Sequence, residues 1–255
     1  MATPATTRHG VAVELSGLRK GYDDHAVLRG VDLSVAAGEL LAIVGQSGTG
    51  KSVLLRQIIG LERPDAGRIT VGGLELSRYL ALPPEEKPFR IAIVFQNAAL
   101  LASLTVEQNV GLRLRERGRH TAHEIATITR RVLEQVDLAG TERKWPAELS
   151  GGMRKRVAIA RALAVDPELI LYDEPTADLD PILTEQIGQL IARIRTTRGK
   201  TQIIVTHNLP LAHAIADRIA VLDGGRIAEC VTPAELTAST HSLTREFLRA
   251  AALRG

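Results

Sequence analysis

The sequence predicts an α/β fold with a parallel central sheet and an inserted helical segment. Three observations carry that prediction. An unbroken apolar run, Leu40 to Val44, leads through a glycine-rich turn into a helical pattern. A second apolar run, Leu169 to Tyr172, ends in the two acids Asp173 and Glu174. Between them, roughly Asn97 to Asp166, strand patterning gives way to helical periodicity. Apolar runs without alternation are what strands buried on both faces look like.

In chain order, Val11 to Leu15 and Val31 to Val35 alternate and read as half-buried strands. Leu40 to Val44 is a central strand, followed by a helix over Lys51 to Leu61 with Gly60 near its end. Ile69–Val71 and Leu74–Leu76 flank Gly72 and Gly73, a hairpin signal, and Ile91 to Phe95 is a further buried strand. Thr105 with Gln108 and Thr121 with Glu124 are capping boxes. Ile125, Ile128, Val132 and Val136 share one helix face, and another helix runs over Gly151 to Val165. Alternation then resumes: strand Leu169–Tyr172, helix Pro181–Arg198, strand Gln202–Thr206 and a short helix Leu209–Ala216. Ile219–Leu222 and Ile227–Cys230 pair across Asp223, Gly224 and Gly225, and Thr232 to Glu235 starts a small helix.

Composition narrows the function classes. The 255 residues suffice for a large core, and 45% hydrophobic with 24% charged residues is an ordinary globular balance. A net charge of +3 does not argue for nucleic acid, although it leaves room for docking at an anionic membrane surface. One tryptophan, Trp145, and 3% aromatics disfavour a stacking surface for single strands. The lone Cys230 allows no internal disulfide and fits a reducing cytosol. Met1 to Gly10 carries no secretory h-region, and no run reaches the roughly 18 apolar residues of a membrane span.

Gly45, Gln46, Ser47, Gly48, Thr49, Gly50, Lys51 and Ser52 fit the spacing G-x-x-x-x-G-K-[ST]. Glycines let backbone N–H groups converge on phosphate oxygens, and the next helix points its positive end at the same anion. Lys51 supplies a point charge to the β- and γ-phosphates, and Ser52 offers a hydroxyl to Mg²⁺. ATP with Mg²⁺ is the predicted ligand. Asp173 and Glu174 point to opposite faces of their strand and so divide two roles. Asp173 supports the Mg²⁺ shell, and Glu174 orients and polarises the attacking water. Alone, such a pair equally describes a solvated acidic turn; the phosphate loop upstream favours the site. Leu149 to Met153, with Ser150 as N-cap and Gly151 and Gly152 behind it, is a second anion-binding pattern. An ordinary capped helix with a basic solvated face over Arg154 to Arg156 has the same residues.

Together these motifs resemble an ABC transporter ATPase subunit over about Val11 to Cys230. The resemblance implies a RecA-like core with an antiparallel β-subdomain (1–96 and 167–235), an inserted helical subdomain (97–166) and a helical tail (236–255). It makes Gly45 to Ser52 the Walker A motif, Leu169 to Asp173 the Walker B motif and Leu149 to Met153 the family signature. Catalysis falls to Glu174, His207 and Lys51. Magnesium falls to Ser52, Asp173 and Gln96, the last matching the Q-loop glutamine. His207 matches the switch histidine on the γ-phosphate, and Tyr22 sits where the family stacks an aromatic on adenine. Ser150, Gly151 and Gly152 would grip the ATP of a second copy, so a homodimer with two composite sites is implied. Ala177 to Asp180 is similar to the D-loop. Two departures stand out: Met153 replaces the signature glutamine, and Asp178 replaces a small D-loop residue.

The run Leu149 to Arg156 is similar to the ATPases of Mce-type, Mla-like lipid transporters, as are Tyr172–Thr176, Leu179–Ile182 and the ending around Arg245 to Leu248. That resemblance implies a peripheral position on the cytoplasmic face of the inner membrane, integral permease subunits, an accessory cytoplasmic subunit in some systems, and an Mce-type substrate-binding protein. The cargo would be phospholipid or another apolar molecule. Leu100, Leu101 and Leu104 either line a permease groove or belong to the subdomain core. An importer of amino acids or ions is the alternative, and Met153 argues mildly against it. A DNA- or ribosome-acting ATPase lacks support, since no long coiled coil or second cassette is present. A non-hydrolysing regulator would lack Glu174, Ser52 or His207.

Overall fold

The computed structural model describes residues 10–23 and 25–252; all of Met1 to Gly10 except Gly10, read above for a signal, lies outside them. The strands are β1 (Val13–Tyr22), β2 (His25–Val35), β3 (Leu40–Val44), β4 (Ala66–Val71), β5 (Leu74–Glu75), β6 (Ile91–Val94), β7 (Leu169–Asp173), β8 (Thr201–Thr206), β9 (Arg218–Asp223) and β10 (Arg226–Val231). The helices are α1 (Lys51–Ile59), α2 (Leu76–Ala81), α3 (Val106–Glu116), α4 (Ala122–Gln135), α5 (Gly151–Ala164), α6 (Pro181–Arg198), α7 (Leu209–Ile215), α8 (Pro233–Thr237) and α9 (Ser242–Ala252).

A six-stranded sheet has the order β10-β9-β3-β8-β7-β6, and a four-stranded antiparallel sheet has the order β2-β1-β4-β5. In the larger sheet only β10 runs antiparallel to its neighbour. The unbroken apolar strands alternate between two cores. Leu40, Ala42, Val44, Ile170, Tyr172 and Ile204 face a cluster shared with Val106, Val110, Val132 and Ile159 of the helical segment. Leu41, Ile43, Leu169, Leu171, Ile203 and Val205 face a cluster shared with α1 and the antiparallel sheet. Both faces are covered, so the strands need no polar side.

The capping boxes form: the Gln108 and Glu124 N–H groups donate to the hydroxyls of Thr105 and Thr121 at 3.3 and 3.2 Å. Caps of this kind contribute about 1 kcal/mol each. Two expectations are corrected. The strand expected to reach Leu76 ends at Glu75, and α2 follows, burying Leu76 and Tyr79 one helical turn apart. Tyr79 stacks on Phe89 with ring centroids 4.5 Å apart and donates its hydroxyl to the Phe89 carbonyl. β6 stops at Val94 and is only alternately buried, because it is an edge strand paired with β7 alone.

Candidate active site

Parallel register brings the chemistry together. Val44 pairs with Thr206, and Asp173 pairs with Val205. The residues just beyond β3, β8 and β7 therefore meet at one edge of the sheet, outside the carboxyl ends of its strands, where open α/β sheets bind ligands.

After β3 the chain turns through Gly45 to Gly50 into α1. Gly48 and Gly50 have φ of 82° and 98°, which side chains rarely tolerate. A Cβ on Gly50 would also lie 2.8 Å from Val27 of β2, and one on Gly45 would lie 2.5 Å from the Leu222 carbonyl. Thr49 Oγ1 donates to the Gln46 carbonyl at 2.9 Å and tightens the turn; Ser47 is exposed at its tip. Lys51 folds back, donating from Nζ to the carbonyls of Gly45 (2.9 Å) and Gln46 (2.8 Å). Burial pulls its amine below the usual lysine range, opposed by the charges of Glu174 and Asp173.

Ser52 Oγ donates to Asp173 Oδ1 at 2.8 Å. A hydroxyl and a carboxylate this close are hard oxygen ligands that fit Mg²⁺, which takes one or two protein groups and keeps water and phosphate oxygens. Among the described residues no cluster of three or more His, Cys, Asp or Glu offers a site built from protein alone.

Glu174 leaves β7 in the left-handed region, with φ of 46°. Its N–H donates to the Val205 carbonyl at 2.9 Å, and its own carbonyl accepts from Ala177 at 3.1 Å. The carboxylate is 12% exposed, with Oε2 3.0 Å from His207 Nδ1 and accepting the His207 backbone N–H at 3.3 Å. His207 thus meets the Glu174 carboxylate through its ring, although its own side chain is 60% exposed.

The remaining predicted residues make other contacts. Gln96 is exposed just past β6, and its backbone carbonyl accepts a bond from Lys155 Nζ. Ser150 Oγ caps α5 by accepting the Met153 N–H at 3.3 Å. The nearest side chain to Gly151 is Leu179, and to Gly152 Leu183, so this turn lies against Leu179 and α6 of its own chain. Tyr22 is 42% exposed and donates its hydroxyl to Glu62, beyond the C-terminal end of α1. Of Arg154, Lys155 and Arg156 only Arg154 is exposed, so the three do not form a continuous solvated basic face. Lys155 is 7% exposed, and Arg154 and Arg156 donate to the carbonyls of Leu149 and Val136. Lys155 was not singled out, but its place one turn after Gly151, ahead of Ala158 and Ala162 on one helix face, is a signal for burial.

The sequence matches the ABC transporter family over residues 28–177. The chain belongs to that family. It is 38% identical over 239 residues to the probable ribonucleotide transport ATP-binding protein mkl of Mycobacterium leprae, covering 94% of this chain and 69% of that one. It is 44% identical over 205 residues to the methionine import ATP-binding protein MetN of Caulobacter vibrioides, covering 80% of this chain and 61% of that one. Among solved structures, the cassette MJ0796 in a dimeric post-hydrolysis state bound to ADP and Pi superposes with a TM-score of 0.77 at 33% identity, covering 87% of this chain and 98% of that one. CbiO1 from Clostridium perfringens, part of the cbiONQ transporter complex, gives 0.80 at 29% identity, covering 95% and 94%. This ABC cassette is an ATP-binding, ATP-hydrolysing transporter subunit. No helix among its described residues is long and apolar enough to cross a membrane.

Proposed function

We propose that two copies of this cassette drive an Mce/Mla-like transporter from the cytoplasmic face of the inner membrane, moving phospholipid or another apolar molecule through a separate permease. The run Leu149 to Arg156 carries this reading, and the match over 94% of the chain to the M. leprae protein supports it. That relative is named for ribonucleotide transport. A second reading, import of a small polar solute, is favoured by the 44% identity to a methionine importer subunit.

In the proposed reaction, the N–H groups of Gly45 to Gly50 and the Lys51 ammonium hold the β- and γ-phosphates, and Tyr22 stacks on adenine. Ser52, Asp173 and Gln96 would hold Mg²⁺, which would supply neutralising positive charge to the phosphates. Glu174 accepts the proton of the water whose oxygen bonds to the γ-phosphorus. The bond to the bridging oxygen breaks, and that oxygen leaves with ADP. His207 steadies the Glu174 carboxylate and reaches the γ-phosphate. Ser150, Gly151 and Gly152 of the second copy close the site. Residues 97–166 form the coupling subdomain, where Leu101, 46% exposed, faces outward while Leu100 packs on the core.

Co-purification from membranes, with identification of the permease and of any bound lipid, tests the assignment. Phospholipid with an Mce-type partner supports the first reading, and a solute-binding partner with a polar ligand supports the second. Recovery with ribosomes and without a permease would sink both.

A further inference from the structure

The segment after β6 is held from α5 by two cations that bond only to carbonyl oxygens. Arg161 donates to the Ala98 carbonyl at 2.7 Å and the Ala99 carbonyl at 2.6 Å. Ala98 and Ala99 have φ of 60° and 45°, a left-handed conformation that alanine adopts only where its surroundings enforce it. Lys155, on the same helix, donates to the carbonyl of Gln96 itself. Its side chain is buried, with 7% of the residue exposed.

A buried ammonium bound to one neutral carbonyl is an expensive arrangement unless nearby charge compensates it. Burial lowers the amine's proton affinity, while the carboxylates of Asp178 and Glu174 act in the opposite direction and favour its charge. Asp178 is one of the two departures from the family pattern and sits at φ of 63°. Its charge therefore supports a lysine that the D-loop does not otherwise require. The first turn of α5 packs on Leu179 and Leu183, so the helix that carries Lys155 is seated on the D-loop as well.

The geometry points to Lys155 as a positioning residue for ATP hydrolysis: it anchors the backbone of Gln96 to the signature helix, so that the Q-loop and the signature turn move as one body. Lys155 bonds the backbone of Gln96, not its side chain, and donates to no other residue assigned to the nucleotide site. Losing it leaves phosphate binding intact and misplaces the glutamine during the chemical step. This rests on the reading of Gln96 as a residue of the active site, so Gln96→Ala is measured alongside.

Lys155→Met keeps the apolar stem and removes the charge. Its kcat is expected to fall about ten- to a hundredfold, the scale of a small misplacement near reacting atoms. KM for ATP is expected to stay within about twofold, the mark of an interaction that acts on chemistry rather than binding. The melting temperature should move by no more than about 4 °C. Hydrogen–deuterium exchange in residues 96–101 of the nucleotide-free protein should quicken while that of α1 does not. An unchanged kcat overturns the proposal. So does a fall in kcat with unchanged exchange in 96–101, since the anchor would then not be what was lost. If Gln96→Ala alone keeps full turnover, the role given to Gln96 fails, while the exchange measurement still decides whether Lys155 anchors the loop.

Discussion

Glu174 occupies a left-handed backbone position with φ of 46°, a strain held by its N–H bond to Val205 and the pull of His207 on its carboxylate. Strain of this kind persists where the surroundings over-determine it. Glu174→Gln preserves the shape and removes the base of the proposed reaction. Turnover is expected to fall about 10²- to 10⁴-fold with ATP affinity retained, measured by phosphate release and by titration calorimetry. Hydrolysis at the normal rate would remove Glu174 from its role. In the proposed reaction Lys51 is the opposite case, a residue of binding rather than of proton transfer. Lys51→Ala takes away a charged donor worth about 1.5–3 kcal/mol, so the ATP Kd should rise about 10- to 100-fold in the same titration. Because burial already pulls the Lys51 amine below its ordinary 10.5, its positive charge is lost earlier as pH rises. ATP affinity should therefore decline on the alkaline side before an exposed lysine would titrate, and Lys51→Arg should flatten that decline.

At the scale of elements, the joint between the helical segment and α6 is a knot of charge. Asp137 follows α4 with φ of 58°, and its Oδ2 accepts from Arg156 at 2.8 Å and from Arg193 of α6 at 2.9 Å. Arg193 also donates to the Gln135 carbonyl at the end of α4. Partial burial pushes the Asp137 carboxyl up, but the bonds from Arg193 and Arg156 outweigh it and hold the group below the usual range. A depressed carboxylate contributes stability that is fully present above its unfolded value of 3.8 and lost as pH falls through its lower folded value. Half-exposed pairs of this kind contribute modestly. Asp137→Gly relieves the backbone as it removes the pairs and should stay within about 1 kcal/mol of the parent, whereas Asp137→Ala keeps the strain and should lose about 1–2 kcal/mol in urea titration. Equal losses for the two variants would show that backbone strain plays no part. Asn109 marks another element-scale device: its buried amide bonds to the carbonyls of Leu101, Leu104 and Thr105 and accepts the Leu101 N–H, shaping the turn that exposes Leu101.

For the whole molecule, the proposed function completes the phosphate loop of one copy with the Ser150–Gly152 turn of a second, and within its own chain that turn packs on Leu179 and Leu183 instead. Glu174→Gln with ATP is expected to sediment as a dimer holding two nucleotides, and the parent protein as a monomer after turnover. A monomer at saturating ATP would count against the composite site. Much of this was legible along the chain. The strand before the phosphate loop, the helix Pro181–Arg198 and both capping boxes match their sequence patterns. The short α2 was not legible, because six residues beside a Gly-Gly hairpin carry little periodic signal and only Tyr79 packing on Phe89 reveals why it winds. The burial of Lys155 was not legible either, since a lysine between two arginines reads as solvated until its carbonyl partner is known.

By itself the sequence determined the local chemistry: which turn presents N–H groups to phosphate, which strand ends in two acids, and where helices begin. Those features depend on neighbours a few residues apart, so they are written in the order of the chain. Tertiary structure alone decided that Ser52 meets Asp173, that Glu174 meets His207, and that Lys155 reaches the Gln96 carbonyl. The physical reason is parallel register and helix docking. Side chains far apart in sequence acquire their partners only when β3, β8 and β7 align side by side and α5 packs across the end of β6.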